Sequence, residues 1–345
     1  MKKKGKIALI ALLCAVLCIG VIAGSMAGVA SKAIDKQNPD EFLSKWMSYI
    51  RDDALLTNVV IAGSHDSGTQ DMMWAAKTQD KTIKEQMACG ARYFDIRVQH
   101  KYGSMFIFHG PISGELFEPI VDDIKEFLQT NPSETLILDF QHFKGGDVVM
   151  NCVDGVLCEK LAGLMVENDT EQSDLDFVKS LTLGDVRGKA IVFWGNEFGK
   201  NENSNFITDK NYLFQRNNDG GTRNGSSLQS FYDGSLNKKP SKTYLEKAIP
   251  TYVEKYRQSE GGLFVMQMQL TDPIAIIGPK FYEGTHDKNA TSFISALDGK
   301  DYFDCVSIIM RDFVGARKCK QIISLNIAKG TLKDGVKNDF AAMCA

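Results

Sequence analysis

The chain has 345 residues, of which 43% are hydrophobic and 24% charged, a composition that fills a large core and excludes wholesale disorder. Its formal charge is −3, and beyond residue 30 the balance is 36 basic against 43 acidic residues, or −7. That surface excludes electrostatic recruitment of nucleic acid and lasting bulk-charge adhesion to anionic membranes. The length fits either two domains of ~150 residues or one α/β barrel with insertions.

The chain begins with Lys2, Lys3, Lys4 and Lys6, followed by 25 residues, Ile7 to Ser31, without a charged side chain. Small residues at Ser25-Met26-Ala27 and Gly28-Val29-Ala30 suit signal-peptidase cleavage, so residues 1–30 read as a signal peptide. An uncleaved signal anchor is the alternative, since ~20 apolar residues span a bilayer. Both readings export the rest of the chain, as a secreted or a membrane-tethered protein. Six cysteines remain beyond the signal, an even set that reads as disulfides. Their spacing favours Cys152 with Cys158, Cys305 with Cys319, and Cys89 with Cys344.

Beyond a polar lead-in with a helical segment at 42–47, short apolar runs alternate with amphipathic ones. Val59-Val60-Ile61 runs into Ala62-Gly63-Ser64-His65-Asp66. A helix around 83–88 precedes a strand at 93–98, and Met105–Phe108 runs into His109. Helical periodicity over 117–128 stops at Asn131-Pro132, a strand follows at 136–140, and a helix covers 153–165. The run 190–194, which buries Trp194, is another strand. Residues 195–240 are rich in Asn, Gly and Ser and read as long loops, with weak periodicity at 212–214. Strands at 263–270 and 306–310 and a helix at 321–327 close the chain. About eight strands alternating with helices predict a parallel βα barrel. No GxGxxG follows the first strand, which disfavours dinucleotide binding.

The strand ends carry the chemistry. His65-Asp66 follow the first strand, Asp95 and Arg97 share a face of the second, and His109 ends the third. Gln141-His142 end the fourth, and Asp312 follows the last. In a parallel barrel these ends converge on one cavity. Two imidazoles, a guanidinium and supporting carboxylates suit phosphoryl transfer without a metal. Taken singly, each has a bland reading: His65 and His109 as turn residues, Arg97 as the partner of a buried Asp95, and Asp312 as a helix N-cap. His100 and His286 read as surface residues.

In order, Trp46-Met47, Gly63–Thr69, Lys77-Thr78-Gln79, Gly90–Arg97 and His109-Gly110-Pro111 resemble the phosphatidylinositol-specific phospholipase C X-domain family. Asn131–Thr135, Leu138–Phe143 and Ile308–Phe313 add to the likeness, which is dense over 42–143, thin over 144–260 and returns at 306–327. The resemblance implies one distorted TIM-type barrel over 31–345. It also implies cleavage of phosphatidylinositol, or a glycosyl-phosphatidylinositol lipid, to diacylglycerol and inositol 1,2-cyclic phosphate. His65 would be general base on the inositol 2-hydroxyl and His109 general acid on the leaving oxygen. Asp312 would orient His65, Asp66 would orient His109, and Asp95 would hold Arg97. Calcium-dependent relatives carry an acidic metal ligand where this chain has Arg97, so the resemblance implies neither a metal nor another cofactor. Gln141 stands where the bacterial enzymes place an inositol-contacting lysine. The expected partner is a lipid met transiently at a membrane surface, and the expected state is monomeric. The alternative is a secreted lipid-binding or interaction protein that keeps the fold without activity. Glycerophosphodiesterase-like barrels lack support, because their His-Arg-Gly start and magnesium-binding glutamates are missing.

Overall fold

The computed structural model describes residues 21–195, 211–217, 225–271 and 277–345. Eight parallel strands form a barrel in the order β7 (Leu213–Gln215), β6 (Ala190–Trp194), β5 (Leu136–Lys144), β2 (Tyr93–Lys101), β1 (Ile61–Ser64), β10 (Ile308–Arg311), β9 (Leu263–Gln267) and β8 (Leu228–Ser230). A parallel bridge between Arg216 and Leu228 closes the ring, with Ser227 N donating to Gln215 O at 2.8 Å. The wall is buried on both faces, so β1, β6 and β9 read as short apolar runs rather than alternations. Gly63 is required by close approach: a Cβ there would lie 2.8 Å from the Tyr93 ring, which crosses the barrel interior beside it.

The interior is not uniformly apolar. Tyr93 Oη donates to Asp139 Oδ2 at 2.6 Å, Arg216 Nε lies 3.1 Å from Asp139 Oδ1, and Gln141 Nε2 donates to both Tyr93 and Asp139. This polar layer sits directly beneath the barrel mouth and fixes Gln141.

Several expectations change. The run at 105–108 is a strand, β3 (Ser104–His109), but it pairs antiparallel with β2 and with β4 (Ile112–Leu116), outside the barrel wall. Its place among the eight is taken by β8, which lies with β7 inside the stretch read as loops; at three residues each they are too short for more than the weak periodicity seen at 212–214. The rest of 195–240 that was read as loop includes residues outside the described set. Helices Ile249–Arg257 and Pro279–Ile294 are additions. The helix expected over 153–165 runs Asp147–Lys160, and the last begins earlier, at Ala316. His286 is fully buried, with Nδ1 against Ser241 Oγ and Nε2 donating to Met268 O, both at 2.8 Å.

The expected disulfides do not form; all six cysteines are free. Cys152 and Cys158 share one helix six residues apart, about 9 Å along the axis and on different faces, beyond the reach of a disulfide. Cys319 is buried and packs beside Gly90, the chain neighbour of Cys89, where burial pushes its thiol well up, and burial likewise pushes the Cys344 thiol up to about 12. Of the segment read as a signal, residues 1–20 lie outside the described residues and 21–30 are helical. No helix among the described residues is long and apolar enough to cross a membrane.

Candidate active site

The carboxyl ends of β1, β2, β5, β8 and β9 surround one cavity of about 270 Å³. β2 overshoots the barrel rim, and the turn at Tyr102-Gly103, both at positive φ, sends β3 back beside it. That hairpin is how His109, far from any barrel strand end, returns to the mouth. His65 and Asp66 leave β1 directly. Asp66 adopts φ +42°, a left-handed conformation held by its N–H donating to Asp95 Oδ2 at 3.1 Å. Gln79 ties the two ends that carry His65 and Asp312: its amide donates to the carbonyls of His65 (2.8 Å) and Arg311 (3.2 Å) and accepts from Val314 N. Thr78 donates to Asp66 O.

His65 Nδ1 donates to Asp312 Oδ1 at 2.7 Å, which leaves Nε2 facing the cavity. His109 Nδ1 lies 2.8 Å from Ala76 O; a carbonyl only accepts, so Nδ1 carries the proton and Nε2 faces inward. The two inward nitrogens share one carboxylate oxygen: Asp66 Oδ2 is 3.3 Å from His65 Nε2 and 3.5 Å from His109 Nε2. Arg97 reaches Asp66 Oδ1 at 2.6 Å and Asp95 Oδ2 at 2.9 Å. Asp95 and Asp312 are buried behind Arg97 and His65 and do not line the cavity. Asp312 caps no helix, since the next begins at Ala316.

The charges set the protonation states. Burial alone would lower the His65 pKa, but the carboxylates of Asp66, Asp312 and Asp95 raise it to about 9. Burial works against ionisation of Asp66, yet Arg97, then His109 and His65, hold its carboxyl well below the usual range. Burial raises Asp312 despite its bond to His65. His65, Asp66 and Asp95 present ligand atoms within 4.8 Å of one another, close enough to hold a cation. The Arg97 guanidinium already bonds both carboxylates, so a divalent ion would have to displace a fixed charge.

Five further residues line the cavity: His142, Tyr232, Gln267, Gln269 and Thr271. His142 faces it together with its neighbour Gln141 because β5 carries a bulge: Ile96 pairs with Phe140 and Arg97 with His142, so Gln141 is the extra residue. The alternation Gln267-Met268-Gln269 at the end of a strand was a legible signal for two of the others. Tyr232 follows a three-residue strand, and no sequence signal marked it.

Residues 53–195 match the family model described as phosphatidylinositol-specific phospholipase C, X domain. The 1-phosphatidylinositol phosphodiesterase of Staphylococcus aureus (strain NCTC 8325 / PS 47) is 29% identical over 189 residues, 51% of this chain and 56% of that protein. PI-PLC X domain-containing protein 2 of Homo sapiens is 31% identical over 123 residues, 27% of this chain and 40% of that one. The chain thus spans about half, or less, of the length of these curated relatives. The solved phosphatidylinositol-specific phospholipase C from Listeria monocytogenes has a TM-score of 0.63 at 24% identity, covering 81% of this chain and 97% of that one, and shares the TIM-type barrel.

Proposed function

We propose that the chain, whose residues 53–195 match the phosphatidylinositol-specific phospholipase C X-domain model, cleaves phosphatidylinositol, or a glycosyl-phosphatidylinositol lipid, to diacylglycerol and inositol 1,2-cyclic phosphate. One observation carries the reading: two imidazole Nε2 atoms converge on a single Asp66 oxygen at the mouth of a cavity that also holds Arg97. A binding module needs no such acid–base pair. His65 Nε2 takes the proton of the inositol 2-hydroxyl, whose oxygen forms the new bond to phosphorus. The bond from phosphorus to the diacylglycerol oxygen breaks, and His109 Nε2 supplies that oxygen with a proton. Arg97 offsets charge on the phosphate without further titration. Met73 and Trp74, both about half exposed, sit just before Ala76 beside His109 and suit contact with a lipid surface. The N-terminal basic and apolar segment supports export. Incubating the protein with labelled phosphatidylinositol tests the reading; a cyclic phosphate is expected, and its absence under all conditions overturns it.

Because His65 must be neutral to act as base, kcat/KM is expected to climb with pH toward a limb near 9. Asp312→Asn removes one of the carboxylates that raise His65 and should move that limb to lower pH while reducing the maximum. An unmoved limb would assign the titration to another group. The same shift bears on stability: a pKa raised from 6.5 to about 9 contributes stability fully below pH 6.5, and it is lost as pH rises through 9.

Activity should survive EDTA, and added calcium should raise it less than about tenfold, a barrier change below roughly 1.4 kcal/mol. Loss in chelator with restoration by calcium would place a metal where Arg97 is now bonded.

A further inference from the structure

The end of the apolar N-terminal segment is built into the barrel. Val21 to Ala30 is helical and mostly exposed, with Val21 and Ile22 more than half open to solvent. Its last residues then dock tightly. Gly284, in the helix Pro279–Ile294, has no room for a side chain, because a Cβ there would lie 2.0 Å from Val29 O and 3.3 Å from Ala30 Cα. The turn Ser31–Ala33 packs on the same helix, and Ala33 is fully buried. Asp35 lies over Gly315 and accepts from Lys318 N at 3.2 Å.

Both docking points are at the mouth. Helix Pro279–Ile294 follows the carboxyl end of β9, so its first turns stand at the mouth, and Gly315 follows the end of β10. Trp74 packs against Gly278, immediately before that helix. The exposed Trp74 and the docked Val29 therefore flank its first turns, about 9 Å apart along the axis. The described end of the 25-residue uncharged span, helix 21–30, thus meets the barrel beside the cavity.

We propose that this segment is retained as a membrane anchor and holds the barrel mouth, Trp74 included, on the bilayer in which it is embedded, so that the site works on lipid of its own membrane. The segment matches the ~20 residues needed to span a bilayer, and in sequence its lysines precede it while the barrel follows it, the order the positive-inside rule requires of an exported barrel. Both small-residue cleavage sites, ending at Ala27 and Ala30, fall within the helix 21–30 whose end docks on the barrel. Cleavage after Ala30 would also remove the residues that fill the space at Gly284. The substrate part of the proposal rests on the phospholipase reading; the anchoring part does not.

The test uses the full chain, expressed through an export pathway and recovered with membranes. Its intact mass should retain residues before Gly28; a new terminus at Gly28 or Ser31 overturns the proposal. The protein is then reconstituted in phosphatidylcholine vesicles with phosphatidylinositol. Of the three tryptophans, Trp46 and Trp194 are buried, so quenching by brominated lipid reports Trp74. Quenching is expected and should disappear in Trp74→Phe; an unquenched Trp74 overturns the mouth-on orientation. Gly284→Leu, with unchanged near-ultraviolet circular dichroism, should reduce quenching, and if that variant does not fold, quenching in the unaltered chain still decides. Phosphatidylinositol in the host vesicle should be cleaved at least about tenfold faster than in added acceptor vesicles, because tethering raises effective concentration. Equal rates overturn the proposal. Quenching with no cleavage of either pool supports the anchor and defeats the phospholipase reading instead.

Discussion

His65→Ala and His109→Ala should each lose ~10²- to 10⁴-fold in activity on phosphatidylinositol, and they should part company on a substrate with a better leaving group. A nitrophenyl phosphoinositide departs as a weak base that needs little protonation, so His109→Ala should recover much of its lost rate there. His65→Ala should recover little, because the 2-hydroxyl must still give up its proton. Both Nε2 atoms lie within 3.5 Å of Asp66 Oδ2, so distance to that carboxylate does not distinguish their roles. Their other bonds do. His65 Nδ1 is held by the Asp312 carboxylate, which favours the imidazolium a base becomes. His109 Nδ1 is held by the Ala76 carbonyl, a neutral partner that fixes the ring without supplying a charge. Asp312→Asn should behave as a mild His65 defect. Asp66→Asn should affect both steps, since it faces both imidazoles and Arg97. Identical responses of the two alanine variants would overturn the division of roles. Wild-type activity in both would overturn the enzymatic reading in favour of a binding protein on the same fold.

Glu134→Ala should be among the most destabilising single changes, by ~3–5 kcal/mol, because it strands a buried guanidinium. Arg92 and Glu134 are both fully buried and meet at 2.8 Å. The remaining Arg92 donors bond the carbonyls of Met87 and Ala91, then reach out to Leu43 and Ser44 in the lead-in. Glu134 also accepts from Met47 N, and Trp46 donates to Gly90 O. The pair thus bolts residues 43–47 across the base of the barrel. Denaturant midpoints should fall for Glu134→Ala and less for Glu134→Gln, which keeps an acceptor. Amide protection over 43–50 should drop with it, while the pH profile of any remaining activity stays in place, since the clamp is remote from His65. A Glu134→Ala protein of wild-type stability would mean that the Arg92 charge finds water.

Two motif segments that resemble the family therefore carry different burdens. Within Gly90–Arg97, Arg92 serves the clamp, whereas Asp95 and Arg97 serve the cavity. Alternation explains the split: Tyr93, Asp95 and Arg97 share the inward face of β2. Lys77-Thr78-Gln79 offered no chemistry of its own in the sequence. In the fold, Gln79 is the strut between the His65 and Asp312 strand ends.

By itself the sequence determined the parallel barrel and six of its eight strands, because buried strands of four or more apolar residues bounded by breakers are local signals. It also placed His65, Asp66 and Arg97 at one mouth, since every parallel strand delivers its carboxyl end to the same side; His109 reaches that mouth for a different reason, on the antiparallel β3 hairpin. The tertiary structure alone decided what depends on distance through space. Strands of three residues take their identity from neighbours, which hid β7, β8 and Tyr232. A bulge turns Gln141 and His142 to the same side, although adjacent residues in a regular strand point apart. Sequence spacing misjudged the cysteines, because Cys152 and Cys158 are held apart by one helix while Cys319 packs beside Gly90, next to Cys89, which is far from it in sequence. Polar surroundings in sequence misjudged His286, whose ring is buried because Ser241 and the Met268 carbonyl satisfy both nitrogens. Local patterns report what a segment prefers, and only packing reports which segments meet.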